Sequence, residues 1–299
     1  MRHGTKTLLI PTLLLSLTLT ARAAENAAPK EAPAAKPAPT AREEPAGPPL
    51  SKEMTALRDR VRRVLTGYFQ QPVNTADNTP ADVLAFCLAY GCDAEIRYGN
   101  SAGNALNGIG CLCWNYPCAR YELLTSDGDR LVARVGYGLQ ESPAQLLAVL
   151  AQSAVPATYE IRIGNQRGTV ADLVESEQRD CRAGKPLAFQ LVGLAHYVPN
   201  GNAWENELGD AWSVERLVQE ELARKAPDGA AGVDRLMGLS YAVERQRKAN
   251  KPIEGQFRRA AEYVAEFQDY AFQLQNADGS WHPAFFASRG ASNDGPGTF

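Results

Sequence analysis

Gln275-Asn276-Ala277-Asp278-Gly279-Ser280-Trp281 closes an aromatic-rich helical pattern (Tyr263, Phe267, Tyr270, Phe272). A helix ending at Gln275 leaves its last carbonyls without partners. Asn276 or Gly279 can turn left-handed there, and Asp278-Gly279 is a turn dipeptide. Gln275 can then bond across the turn. Trp281 offers a flat apolar face with a single N–H donor. The string therefore predicts a glutamine and an indole set on either side of a tight turn after a long helix.

Read as Q-x-x-D-G-S-W, the stretch resembles the QW motif of the terpenoid cyclase/prenyltransferase α/α toroids. The resemblance implies an all-α fold, a partial or complete toroid of antiparallel helical hairpins. In it Gln275, Asp278, Gly279 and Trp281 would clasp neighbouring hairpins on the outside of the ring. No second copy of the string is present: residues 144–155 form a similar leucine-rich, glutamine-containing segment, but no D-G-x-W follows. The chemistry of these families is not carried over either. D-x-D-D and D-D-x-x-D are missing, as is the thioester string of complement-type toroids. For the zinc of protein prenyltransferases, Asp180, Cys181 and His196 are the nearest match, at an unsuitable spacing. An isoprenoid cyclase is therefore the least favoured reading.

At the other end, Arg2, His3 and Lys6 precede an apolar run over residues 8–17 and the small-x-small site Ala21-Arg22-Ala23. That order predicts a signal peptide over 1–23, hence export to the periplasm or beyond, with tethering to the membrane if the segment is not cleaved. No later window is apolar enough to span a bilayer. Residues 24–50, rich in Ala, Pro, Glu and Lys, bury too little to offset their ordering entropy and read as a linker. About 250 residues remain for the folded part, 51–299. The final stretch Asn293-Asp294-Gly295-Pro296-Gly297 reads as a loop, as if the ring were partial or the sequence a fragment.

A net charge of −3 and a pI near 5.8, with the cluster Arg58, Arg60, Arg62, Arg63 interrupted by Asp59, argue against a nucleic-acid partner. The expected partner is a small molecule, a glycan or a protein. Six cysteines lie at 87, 92, 111, 113, 118 and 181. Export allows disulfides, and the C-x-C-x4-C spacing lacks the paired knuckles of structural zinc. The expectation is disulfides or buried thiols, with no metal and no cofactor.

Periodicity predicts about eight helices. Thr79-Pro80-Ala81-Asp82 opens one with cap, proline and acid in order. Ser142-Pro143-Ala144-Gln145 reads as a capping box, and Ser213 as a cap. Ser126-Asp127-Gly128-Asp129 is a hairpin turn. Tyr159, Ile161 and Ile163 alternate into a small inserted ribbon, and residues 93–135 are otherwise irregular.

The candidate chemistry sits in Trp204-Glu205-Asn206-Glu207-Leu208-Gly209-Asp210-Ala211-Trp212. Glu205, Glu207 and Asp210 could do acid/base work between Trp204 and Trp212, which could stack on sugar rings. An acidic loop ahead of a helix explains the same residues. His196 is a candidate base on an apolar helix, or a satisfied structural histidine. Tyr137 and Gln140 could line a cavity among glycines, or form a tight turn. The main expectation is a non-catalytic binding scaffold; the alternative is a polysaccharide lyase or hydrolase on a helical barrel.

Overall fold

The computed structural model describes residues 51–199, 201–225 and 230–276. The expected signal peptide, the linker up to Leu50, and Asp278, Gly279 and Trp281 lie outside the described residues. The chain is mostly helical with small antiparallel strand pairs. Helix α1 (Lys52–Phe69) is capped by Ser51. Helix α2 (Pro80–Tyr90) begins as its sequence requires: Thr79 and Asp82 form a reciprocal capping box, and Pro80 sits where no N–H is needed.

Strands β1 (Glu95–Arg97) and β2 (Ala105–Asn107) pair and lead directly into α3 (Gly108–Cys113), capped by the Asn107 side chain. The region expected to be irregular thus contains a hairpin and a short helix. Strands β3 (Leu124–Asp127) and β4 (Arg130–Ala133) close the anticipated turn. Helix α4 (Gln145–Gln152) does not use the expected Ser142–Gln145 box. Its cap is Ala144 in a left-handed conformation, and Gln145 Oε1 instead takes the Glu141 N–H at 2.9 Å. Strands β5 (Glu160–Ile163) and β6 (Gln166–Thr169) form the expected ribbon and run into α5 (Val170–Arg179). After α6 (Ala188–Tyr197), β7 (Ala203–Glu205) and β8 (Ala211–Ser213) form a hairpin where an acidic loop had been the simplest expectation. Helix α7 (Val214–Ala223) follows, capped by Ser213, then α8 (Ala230–Lys248) and α9 (Gly255–Leu274).

One unit recurs: helix, two-stranded hairpin, capped helix. It appears as α2/β1–β2/α3, α4/β5–β6/α5 and α6/β7–β8/α7. The second helix of each unit starts from the last residue of the hairpin, Asn107, Thr169 or Ser213. The second and third copies, with α8 after them, also agree in sequence. Gln145-Leu146-Leu147-Ala148, Gln190-Leu191-Val192-Gly193 and Arg235-Leu236-Met237-Gly238 begin 45 residues apart. Thr169-Val170, Leu173-Val174 and Glu177 match Ser213-Val214, Leu217-Val218 and Glu221. The first helices pack in a row, α2 on α4, α4 on α6 and α6 on α8, while α5 packs on α6 and α7 on α9.

Small residues bring the row close together. A Cβ on Gly193 would lie 2.6 Å from the Leu147 side chain, and one on Gly238 2.8 Å from the Ala188 carbonyl oxygen. Leu146, Leu150, Leu173, Leu191, Leu194, Leu217 and Leu239 fill the continuous core between the helices.

Candidate functional site

The β7–β8 hairpin is built around Asn206. Its Oδ1 accepts the N–H groups of Leu208 (3.0 Å) and Asp210 (2.8 Å), and its amide donates to the Cys181 carbonyl (2.8 Å). These bonds fix the turn and attach it to the end of α5. Trp204 and Trp212 are directly opposed across the strands, but they serve the interior. Trp212 is 1 % exposed, with the Arg216 guanidinium 4.4 Å from its ring. Trp204 is half-buried and donates its indole N–H to the Gln178 carbonyl. A wholly buried Trp212 offers no face for a sugar ring.

Glu205, Glu207 and Asp210 lie on the exposed rim of this hairpin. Glu207 is ion-paired to Arg182 at 2.8 Å, and Asp210 accepts from the Asn206 amide at 3.3 Å. The acids expected to act together are thus divided among local partners.

His196 stands apart, on α6 facing α8. Its Nδ1 lies 2.7 Å from the Tyr241 hydroxyl, which also reaches the Ala151 carbonyl at 3.4 Å. Ala151, His196 and Tyr241 occupy the same position in the three matched helices, so the contact joins α4, α6 and α8. Burial, with the nearby Arg245 charge adding to it, lowers the His196 pKa to about 4. The ring is therefore neutral at ordinary pH and serves as a hydrogen-bonding strut.

Tyr137 and Gln140 share a tight loop in which Gly136 and Gly138 hold positive φ, yet they have opposite fates. Tyr137 is 89 % exposed and Gln140 is 1 % exposed. The Gln140 amide donates to the Ala133 carbonyl (2.8 Å), and its oxygen accepts the Leu146 N–H (3.0 Å), tying β4 to the first turn of α4. Clefts flank the loop. One, of about 510 Å³, runs past Thr79, Asp82 and Tyr137. The other, of about 560 Å³, is lined by residues 132–135, Leu139, Gln140, Ser176, Glu177 and Asp180.

Glu177 is the residue that sequence reasoning missed. Burial, reinforced by the Asp180 charge, raises its pKa to about 8. Arg130, the Gln190 side chain and the Ala144 backbone N–H offset this in part. Arg130 itself is held by Asp180 at 2.7 Å and by the Ser176 hydroxyl at 3.2 Å. A buried carboxyl with a perturbed pKa beside a cleft is the usual mark of an acid/base site. Here, however, the next unit supplies a control. Glu221, at the matched position, accepts the Leu187 N–H at the start of α6 and pairs with Arg224 (2.8 Å) and Arg235 (3.6 Å). Glu221 secures the start of α6, and Glu177 at the matched position faces the start of α4. Matching Thr169–Glu177 with Ser213–Glu221 in the sequence would have revealed it.

Of the two expected states, disulfides or buried thiols, the cysteines take the second: all six are free thiols, five of them buried. Cys111 and Cys118 meet sulfur to sulfur at 3.6 Å, and Cys92 bonds the Ser153 carbonyl. Among the described residues no group of three or more His, Cys, Asp or Glu side chains is placed to hold a metal ion, and no helix is long and apolar enough to cross a membrane. Gln275 follows the end of α9 in an extended conformation. Comparison with protein-family models, with curated proteins and with solved structures returned no match to this chain.

Proposed function

We propose that this chain is an exported α/α-toroid-type repeat protein that serves as a binding scaffold for a small molecule, glycan or protein. Two features support the toroid. The helix–hairpin–helix unit recurs, and alternate helices pack in a row, as stacked units must to bury a continuous core. The observation that carries the scaffold reading is the employment of the polar candidates. Gln140, His196 and Glu177 hold helices in place, and Glu207 and Asp210 hold a turn. The exposed Tyr137 and the two clefts beside it are where a ligand would sit.

One observation favours a second reading, a carbohydrate-active enzyme: Glu177 and Asp180 share a cleft, and the raised pKa of Glu177 keeps a proton available at neutral pH. Incubating the protein with a panel of polysaccharides separates the two. The scaffold reading expects neither reducing ends nor unsaturated products, together with retention on an immobilised ligand that Tyr137→Ala weakens. Turnover abolished by Glu177→Gln or Glu207→Gln in a folded protein would establish the enzyme instead.

A further inference from the structure

Among the described α-helices, α1 is the one with no buried residue, although its sequence is amphipathic. Met54, Leu57, Val61, Val64, Leu65, Tyr68 and Phe69 are between 41 % and 68 % exposed. At 100° per residue they fall within one arc of about 140°. The helix is nonetheless fixed to the body at its C-terminal end. The Tyr90 hydroxyl donates to the Leu65 carbonyl (2.8 Å), and the Phe69 ring packs on Phe86 and Tyr90. The fold holds this apolar stripe in place and leaves it uncovered by the described residues.

Charge indicates what covers it. The helix carries Lys52, Arg58, Arg60, Arg62 and Arg63 against Glu53 and Asp59, within a chain whose net charge is −3. Arg62 borders the apolar arc on one side, where Arg58, paired with Asp59 at 3.0 Å, stands just inside the edge between Leu65 and Phe69, and Glu53 and Arg60 lie beyond the other side. Cations at the edges of an apolar face match an interface in which methylenes lie in hydrocarbon and guanidinium groups reach phosphate. A second copy fits less well. The stripe spans fewer than three heptads, and the arc is wider than a two-position coiled-coil seam. The same arginines rule out a span across the bilayer.

We infer that α1 is an interfacial helix that lies on an anionic lipid surface, with Leu57, Val61 and Val64 in the acyl boundary and Arg58, Arg60 and Arg62 on the headgroups. The site is independent of the scaffold reading and would remain if that reading failed.

The test places an environment-sensitive fluorophore on the full chain at Val61→Cys, and separately at Ala56→Cys on the opposite face. Vesicles of phosphatidylcholine, with and without phosphatidylglycerol, are then added. A several-fold fluorescence rise is expected at position 61 alone and only with the anionic vesicles. It should fall with salt and with Arg58→Gln, Arg60→Gln and Arg62→Gln, at about fivefold in partitioning per arginine. Because the label reports α1 itself, the apolar segment over residues 8–17 does not confuse the readout. The inference is overturned if position 61 stays wet on anionic vesicles or responds equally to neutral ones. It is also overturned if position 61 is already dry without lipid, in which case sedimentation separates cover by the chain itself from a second copy.

Discussion

The carboxylate of Glu221 takes the backbone N–H of Leu187 at the start of α6, and one unit earlier the matched Glu177 has the Ala144 backbone N–H, at the start of α4, favouring its charged form. The first N–H groups of a helix lack intrahelical partners and carry partial positive charge, so a carboxylate there satisfies a donor and complements the dipole. The difference between the units lies in the flanking residue. Glu221 faces Arg235, whereas Glu177 faces Gln190 at the matched position.

Removing Glu221 should therefore be severe. Glu221→Ala leaves Arg235, whose side chain is 3 % exposed, without its counter-ion. A loss of about 3–5 kcal/mol is expected in urea denaturation, because one buried charge remains unpaired. Glu177→Gln should cost under about 1 kcal/mol at about pH 4.5 and below, where the carboxyl is protonated and the amide is its near-isostere, and should stabilise by a few kcal/mol at pH 7, because the amide escapes the ionisation that favours the unfolded state.

Glu177 also sets a pH window. Its folded pKa of about 8 lies above the unfolded value near 4.5, so the native state binds more protons between them. Stability from this group is complete below pH 4.5 and declines by a few kcal/mol as pH rises to 8. Denaturant midpoints measured from pH 5 to 9 should show this decline, and Glu177→Gln should flatten it.

His196 acts in the opposite sense. Its folded pKa of about 4 lies below the unfolded value of 6.5, so the unfolded state binds the extra proton. Stability is complete above pH 6.5 and is lost as pH falls towards 4. His196→Gln should reduce this acid sensitivity, read as a smaller drop in Tm between pH 7 and pH 5.

Close helix packing gives a contrast between matched glycines. Gly238→Ala places a methyl group against the Ala188 backbone, which cannot rotate away, while Gly193→Ala meets only the Leu147 side chain. Despite the better helix propensity of alanine, Gly238→Ala should destabilise by about 1–3 kcal/mol. Gly193→Ala should cost less.

Much of the fold was legible because its signals are local. Thr79, Pro80 and Asp82 start α2, Ser213 starts α7, and the 126–129 turn and the Tyr159–Ile163 alternation give their hairpins. The β1–β2 and β7–β8 hairpins were not, because each has three-residue strands with little alternation to detect. The Ser142–Gln145 box failed because the Leu146 N–H at the start of α4 is claimed by Gln140 and the Gln145 side chain is turned to the Glu141 N–H. The repeat stayed hidden because β3–β4 widens the first interval. Asn107 precedes Thr169 by 62 residues, whereas Thr169 precedes Ser213 by 44. Trp204, Trp212 and the acids share one hairpin, but their burial and pairing depend on α5 and α7, which no short window contains.

The equivalence of successive units is tested most directly by transplanting the α8 residue into the matched position of α6. In Gln190→Arg a guanidinium would face Glu177 as Arg235 faces Glu221. With the Glu177 carboxyl carbon followed by NMR in the folded protein, its titration midpoint should fall from about 8 towards the ordinary carboxylate range near 4.3. A folded variant in which that midpoint does not move would contradict the shared architecture of the two units.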